Sequence, residues 1–359
     1  MLLLSRCVVV VPRLWQLLPR QSSTKVPQSL AFASSPRKGP KSLKADLRRD
    51  LAARLVEAQN TADATTVLKE CVKAMGAWNR ERRPDETLAL FADMRASGVT
   101  LNVFCYNAAI TAYGRRRDWR RAVTMLAEMR NCNVEPNVIT YNATISACEK
   151  GGQWEKALEL LNKMQASGIE PDVITYSATI SACEKGGQWE KALEFFDEMK
   201  TSGIKPNVIT YNATISACEK GGQWEKALGL FEDMQANGIE PDVITYSATI
   251  SACEKGCQWE KALQLLDRMK ASGIEPNVIT YSATISACEK GGQWEKALQL
   301  FDEVKASGIE PNVITYSATI SACEKGGQWE KALGLFEDMQ ANGIEPDVIT
   351  YSATISACE

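Results

Sequence analysis

The chain has 359 residues, 45% of them apolar and 24% charged, which is ordinary for a folded protein; no apolar run approaches the ~20 residues of a membrane span, so membrane insertion is not expected. There is no histidine, which excludes imidazole acid–base catalysis, histidine-containing triads and any zinc site that needs an imidazole. The net charge of −3 hides an asymmetry: residues 1–45 hold eight basic residues and no acid, leaving 33 basic against 44 acidic residues in 46–359, so a nucleic acid would have to be bound by local charge in a groove.

Residues 1–50 read as an address. The segment is rich in serine and free of acid before Asp46. Arg6, Arg13 and Arg20 recur every seven residues, which would give a helix one cationic face, interrupted by Pro12 and Pro19. Arg6 and Arg13 also split the apolar stretch that a secretory signal would need. The pattern predicts an organelle transit peptide, mitochondrial or chloroplast, with a disordered basic segment as the plainer alternative.

Residues 51–102 form a divergent helical cap, in which 68–102 reads as a degenerate unit with Leu88, Phe91, Met94 and Gly98 in register with the units beyond it. From Val103 onward the chain repeats itself. Pro136 to Pro346 and Trp119 to Trp329 each recur at intervals of 35 residues. Seven full units fill 103–347, and a partial eighth occupies 348–359. A period in this range signals a solenoid.

Each unit predicts two helices. In 138–172 the first apolar face is Val138, Tyr141, Ile145 and Cys148, ended by Gly151 and Gly152. The second is Trp154, Ala157, Leu158, Leu161 and Met164. Gly168 fits a left-handed helix end, Pro171 a stop, and Asp172 the N-cap of the next helix. One hairpin cannot bury both its faces, so the units must stack into a superhelix. Cysteine recurs once per unit on the first helix, which makes it a small core residue; no CxxC occurs, and no metal or cofactor site is expected. The repeated tryptophan is expected to be buried at the hairpin turn.

The unit VITYNATISACEKGGQWEKALELLNKMQASGIEPD resembles a pentatricopeptide repeat. Thr140, Tyr141 and Asn142 match that family's opening, and Gly152, Lys156, Ala157, Leu158, Met164, Gly168, Ile169, Pro171 and Asp172 match the remainder. The resemblance covers 103–359 and, more weakly, 68–102. It implies an all-α fold, a right-handed α-solenoid superhelix of stacked helix-turn-helix hairpins. It implies a non-enzymatic protein that binds single-stranded RNA at about one base per repeat. By resemblance, the fifth and last residues of each unit read the base edge, the second packs against the base plane, and the first repeats face the RNA 5′ end.

The internal comparison supports that transfer. In the six units of 138–347 the stretch VITY-x-ATISACEKG varies only at its fifth residue. The expected base-reading pairs are Asn107 with Asn137, Asn142 with Asp172, Ser177 with Asn207, Asn212 with Asp242, Ser247 with Asn277, Ser282 with Asn312, and Ser317 with Asp347; Ser352 begins another. By the family pairing rule they read 5′-(C/U)UAUAAG-3′. Val72 cannot read a base edge. Arg115, Lys150, Lys185, Lys220, Lys255, Lys290 and Lys325, near the end of each first helix, are the expected phosphate contacts; a solvated helix-end charge is the competing role. The expected setting is organelle RNA processing, stabilisation, editing support or translation. A protein–protein scaffold using the same surface is the alternative, and protein partners alongside RNA are compatible with either reading.

Overall fold

The computed structural model describes residues 40–58 and 64–359; most of the expected targeting segment lies outside the described residues. Among the described residues there are eighteen α-helices and no strand. The first is α1 (Pro40–Glu57), which runs through residue 50 and puts Leu51 and Leu55 into the core. Next come α2 (Ala64–Arg80) and α3 (Pro84–Ala96). The remaining helices alternate strictly. The first helix of each unit, here the A helix, is α4 (Val103–Arg115), α6 (Val138–Lys150), α8 (Val173–Lys185), α10 (Val208–Lys220), α12 (Val243–Lys255), α14 (Val278–Lys290), α16 (Val313–Lys325) and α18 (Val348–Ala357). The second, the B helix, is α5 (Trp119–Asn131), α7 (Trp154–Ala166), α9 (Trp189–Thr201), α11 (Trp224–Ala236), α13 (Trp259–Ala271), α15 (Trp294–Ala306) and α17 (Trp329–Ala341). From α4 to α16 each A helix packs on its own B helix and on the A helix of the next unit, and each B helix also touches the next A helix, so residues 45–359 form an all-α solenoid. No described helix is long and apolar enough to cross a membrane.

Local chemistry sets the helix ends. Asp172 begins α8 by accepting the Thr175 N–H at 2.9 Å, while the Thr175 hydroxyl accepts the Asp172 N–H at 3.1 Å; this reciprocal cap satisfies two otherwise orphaned donors. Both helices of a unit end the same way. Gly152 and Gly168 have φ of +68° and +70°, and the residue after each donates back to the helix: Gln153 N to Cys148 O at 2.9 Å, Ile169 N to Met164 O at 3.1 Å. In one unit Cys257 occupies the left-handed position, with φ +54°. A side chain there is strained, so Cys257→Gly is expected to raise unfolding free energy by about 1 kcal/mol, read by chemical denaturation.

The core follows the expected faces with one shift. Tyr141, Ile145, Cys148, Ala157, Leu161 and Met164 are fully buried. Leu160 is buried too, whereas Leu158 is half-buried, because the B helix packs on two A helices and so buries a wider stripe than one hairpin requires. Burial pushes the Cys148 thiol up to about 12 and the Cys183, Cys218, Cys253, Cys288 and Cys323 thiols up to about 11, so these thiols are inert packing groups.

The tryptophans depart from expectation. Trp119 through Trp294 are half-buried, and Trp329 is exposed at 50%. Their partners lie in the next unit rather than at their own turn. Trp154 lies over Gly186, so close that a β-carbon there would overlap the indole. Lysines of the next B helix cover the rings: Lys226 over Trp189 at 4.5 Å, Lys261 over Trp224 at 4.3 Å and Lys296 over Trp259 at 4.2 Å. The indole is therefore a spacer between units.

Two B helices carry an interior glycine, Gly229 and Gly334, where the other units have Thr, Glu or Gln. A β-carbon at either would meet nothing within 4 Å. Gly229→Ala and Gly334→Ala are each expected to stabilise the array by about 1 kcal/mol, seen as a higher denaturation midpoint.

Candidate nucleic-acid interface

Side chains three, four and seven residues apart share one side of a helix, so positions 2, 5, 9 and 13 of each unit lie on one face of the A helix. In the last units this face forms a groove that holds Ile314, Ile349, Ser317, Asp347, Glu289 and Lys290 together. The second, fifth and last residues and the A-helix lysine thus meet on one surface.

At position 2 the side chains are apolar and exposed. Phe104, Ile139, Ile174, Ile209, Ile244, Ile279, Ile314 and Ile349 all lie between 57% and 64% exposed, while from α4 to α16 the neighbouring Tyr and Ile of the same helices are buried. Among the described residues these side chains lie outside the buried core, and a stripe of one large apolar group per unit marks a contact surface.

Beside each stripe residue lies the polar pair. Asn142 Nδ2 donates to Asp172 Oδ1 at 3.0 Å, and Asn212 Nδ2 to Asp242 Oδ1 at 3.1 Å. Asn107 makes the same bond to Asn137 at 3.4 Å. Serine is shorter. Ser177, Ser247, Ser282 and Ser317 instead pair with the hydroxyls of Thr210, Thr280, Thr315 and Thr350 at 2.8, 3.1, 2.8 and 2.7 Å. Ser352, in the last helix, is exposed.

The last residue's cap bond has a chemical consequence. In Asp172, Asp242, Asn207, Asn277 and Asn312 alike, Oδ1 accepts the N–H of the threonine three residues on. The second terminal atom is then Oδ2 in aspartate, which only accepts, and Nδ2 in asparagine, which only donates. One cap geometry presents two opposite hydrogen-bonding faces. Burial works to raise the Asp242 pKa, but hydrogen bonds from Thr245, Asn212 and the Ile244 N–H hold it below the usual range, so the acceptor stays ionised at neutral pH.

The expected phosphate cations divide into two sets. Lys185 and Lys220 pair with Glu149 and Glu184 of the preceding unit, and Lys255, Lys290 and Lys325 pair with Glu219, Glu254 and Glu289 at 2.6, 2.5 and 2.5 Å. This ladder joins successive A helices and offsets the lysine charge. Lys150 has no rung, because Gly114 occupies the glutamate position; it and Arg115 make no ion pair among the described residues. The glutamate rungs and the third-position threonines are not evident from the sequence of one unit. Their spacings of 36 and 33 residues, one unit plus one and one unit minus two, are the only signal it carries.

An array of similar helical hairpins with a polar pair and an apolar group at each step defines a helical-repeat protein. The pentatricopeptide repeat domain model matches residues 89–150, 159–220 and 295–359, over half of the chain. The PPR repeat family model matches 206–255 and 250–290, and the PPR repeat model 139–169 and 279–309. The chain belongs to the pentatricopeptide repeat family. Among solved structures it is similar to the maize pentatricopeptide repeat protein PPR10, at 26% identity and TM-score 0.54, over 88% of this chain and 50% of that one. The chain thus spans half the length of the maize protein. PPR10 in complex with an 18-nucleotide psaJ RNA element matches at 23% identity and TM-score 0.48, over 88% and 56%. The PPR domain of the Arabidopsis thaliana protein-only RNase P 1, in complex with tRNA, matches at 18% and 0.45, over 50% and 94%. No curated protein matches the chain.

Proposed function

We propose that the groove binds single-stranded RNA, one base per unit, with preference for 5′-(C/U)UAUAAG-3′. The observation that carries this reading is the repetition, at every unit, of an exposed apolar side chain beside a polar pair whose donor and acceptor groups change while its frame does not. The stripe residues pack against base planes, which suits any base. The polar pair then selects. Uracil offers a carbonyl acceptor next to its imino N–H, which complements the Asn142 amide donor and the Asp172 acceptor. An asparagine in the last position donates instead, and so suits the imino acceptor of C or A. Serine at the fifth position is shorter and leaves room for a purine. The groove's cations concentrate at Arg115 and Lys150, where the RNA 5′ end would enter. The basic segment 1–50 supports delivery to mitochondria or chloroplasts, where the bound RNA would be protected, processed, supported for editing or translated.

The test is Asp172→Asn. The cap bond through Oδ1 is kept, so stability changes little. The second-position preference of 5′-CUAUAAG-3′ is expected to move from U toward C by about 1 kcal/mol, the lower end of what a base-edge pair supplies. Binding of parent and variant to the U and C forms of that RNA measures it. Lys150→Ala, by contrast, is expected to weaken all RNAs alike and to reduce the salt slope by about 0.7. An unchanged U/C ratio in a folded, RNA-binding Asp172→Asn protein removes base reading from this residue, and binding to peptide but not RNA would favour a scaffold.

A further inference from the structure

We propose that Thr175, and the threonine at the third position of each unit after the first, positions the reader of the preceding unit; the inference rests on the RNA reading above. These residues, Thr140, Thr175, Thr210, Thr245, Thr280, Thr315 and Thr350, are fully buried. Capping their own helix needs no burial against the unit before. Yet the Thr175 hydroxyl donates to Asn142 Oδ1 at 2.6 Å, as Thr245 does to Asn212 at 2.6 Å and Thr140 to Asn107 at 2.7 Å.

The orientation of the Asn142 amide is set by its two neighbours. Asp172 is acceptor-only when ionised, so the amide side facing it must be NH2. The oxygen then faces Thr175, whose hydroxyl supplies the one donor that fits. The amide is held between an acceptor and a donor. One N–H is spent on Asp172, and the second has no partner among the described residues. The reader therefore presents its second N–H, with its oxygen turned to Thr175. A donor there complements the carbonyl of uracil and not the amino group of cytosine, and so adds to the selection made by the last residue. Without the hydroxyl the amide oxygen is unpartnered, so one of the two contacts that fix the amide is lost, and only Asp172 still opposes the flipped form that offers its oxygen to a base. Serine readers depend on the same group, since Thr210 and Thr315 bond Ser177 and Ser282.

The experiment uses the full chain and Thr175→Val, which keeps shape and removes the hydroxyl, with Thr175→Ser to restore it. Each protein is titrated with 5′-CUAUAAG-3′ and with its second-position C variant, and folding is monitored by circular dichroism. The parent is expected to prefer U. Thr175→Val is expected to lower that U-over-C ratio by about threefold or more, a loss within what one base-edge contact supplies. Preferences at the other positions stay as in the parent, and Thr175→Ser recovers the ratio. Thr210→Val, one unit on, is expected to act at the third base alone. An unchanged ratio in folded Thr175→Val, with the parent selective, would reduce the threonine to a cap and leave the RNA reading intact. A parent that does not distinguish U from C overturns the RNA reading and this inference with it. If Thr175→Val does not fold, a Thr210→Val protein with unaltered third-base preference overturns the inference instead.

Discussion

Asn212→Ser is expected to change the base preferred at the fourth RNA position from U to G. Units 208–242 and 313–347 are identical at every position except the fifth, where one has Asn212 and the other Ser317. The substitution therefore rewrites one unit as a full copy of another, with the same cap, the same threonine and the same core. Both units end in aspartate, Asp242 and Asp347, so both offer an acceptor to an imino N–H, which uracil and guanine share. The difference lies in reach. Asn212 extends its amide to Asp242, whereas Ser317 is shorter and pairs with the Thr350 hydroxyl at 2.7 Å. The switch is worth about 1–3 kcal/mol, or roughly fivefold to 150-fold in relative affinity. Competition binding of the four fourth-position variants of 5′-CUAUAAG-3′ measures it. Retention of U by a folded variant would show that the fifth residue does not select base size.

Gly221→Ala is expected to destabilise the array by about 1–3 kcal/mol, as overpacking does. Gly221 has φ −80°, which any residue adopts, so its glycine is required by space alone. A β-carbon there would stand 2.5 Å from Trp189 Cγ and 3.0 Å from Trp189 Cβ. The indole would have to turn away, and it would lose the cover of Lys226. Trp189→Leu removes the obstacle, so the double variant is expected to recover part of the loss, and the pair's coupling is read from a double-mutant cycle in urea. Strict additivity would mean that the indole does not hold the two units apart. The contrast with Gly229→Ala is the useful control: the same substitution in open space stabilises.

What could be read from the sequence was whatever depends on neighbours along the chain. The period, the two helices, the left-handed Gly168 and the cap at Asp172 are all local, and all appear where the residues place them. What could not be read depends on the next unit. The pattern around Trp154 marks an apolar helix start, but nothing within those 35 residues says that Gly186 is its partner. Lys185 reads as a free cation until the fold brings Glu149 to it. Thr175 reads as a helix-start residue, and its bond to Asn142 appears only when two A helices lie side by side. A repeated sequence hides such contacts in a particular way. Each partner recurs in every unit, so the residues that matter between units look like residues that matter within one.

The sameness of the junctions also bears on how such a gene changes. At every A-helix junction from α6–α8 to α14–α16, the rung of lysine on glutamate, the buried threonine and the glycine under the indole recur. A crossover that removes or duplicates 35 codons in register therefore restores a junction the protein already contains. The folding problem is solved again by the same contacts, and the product differs only in which letters it spells and how many. New words come from recombination, and single substitutions at the fifth and last residues correct their spelling.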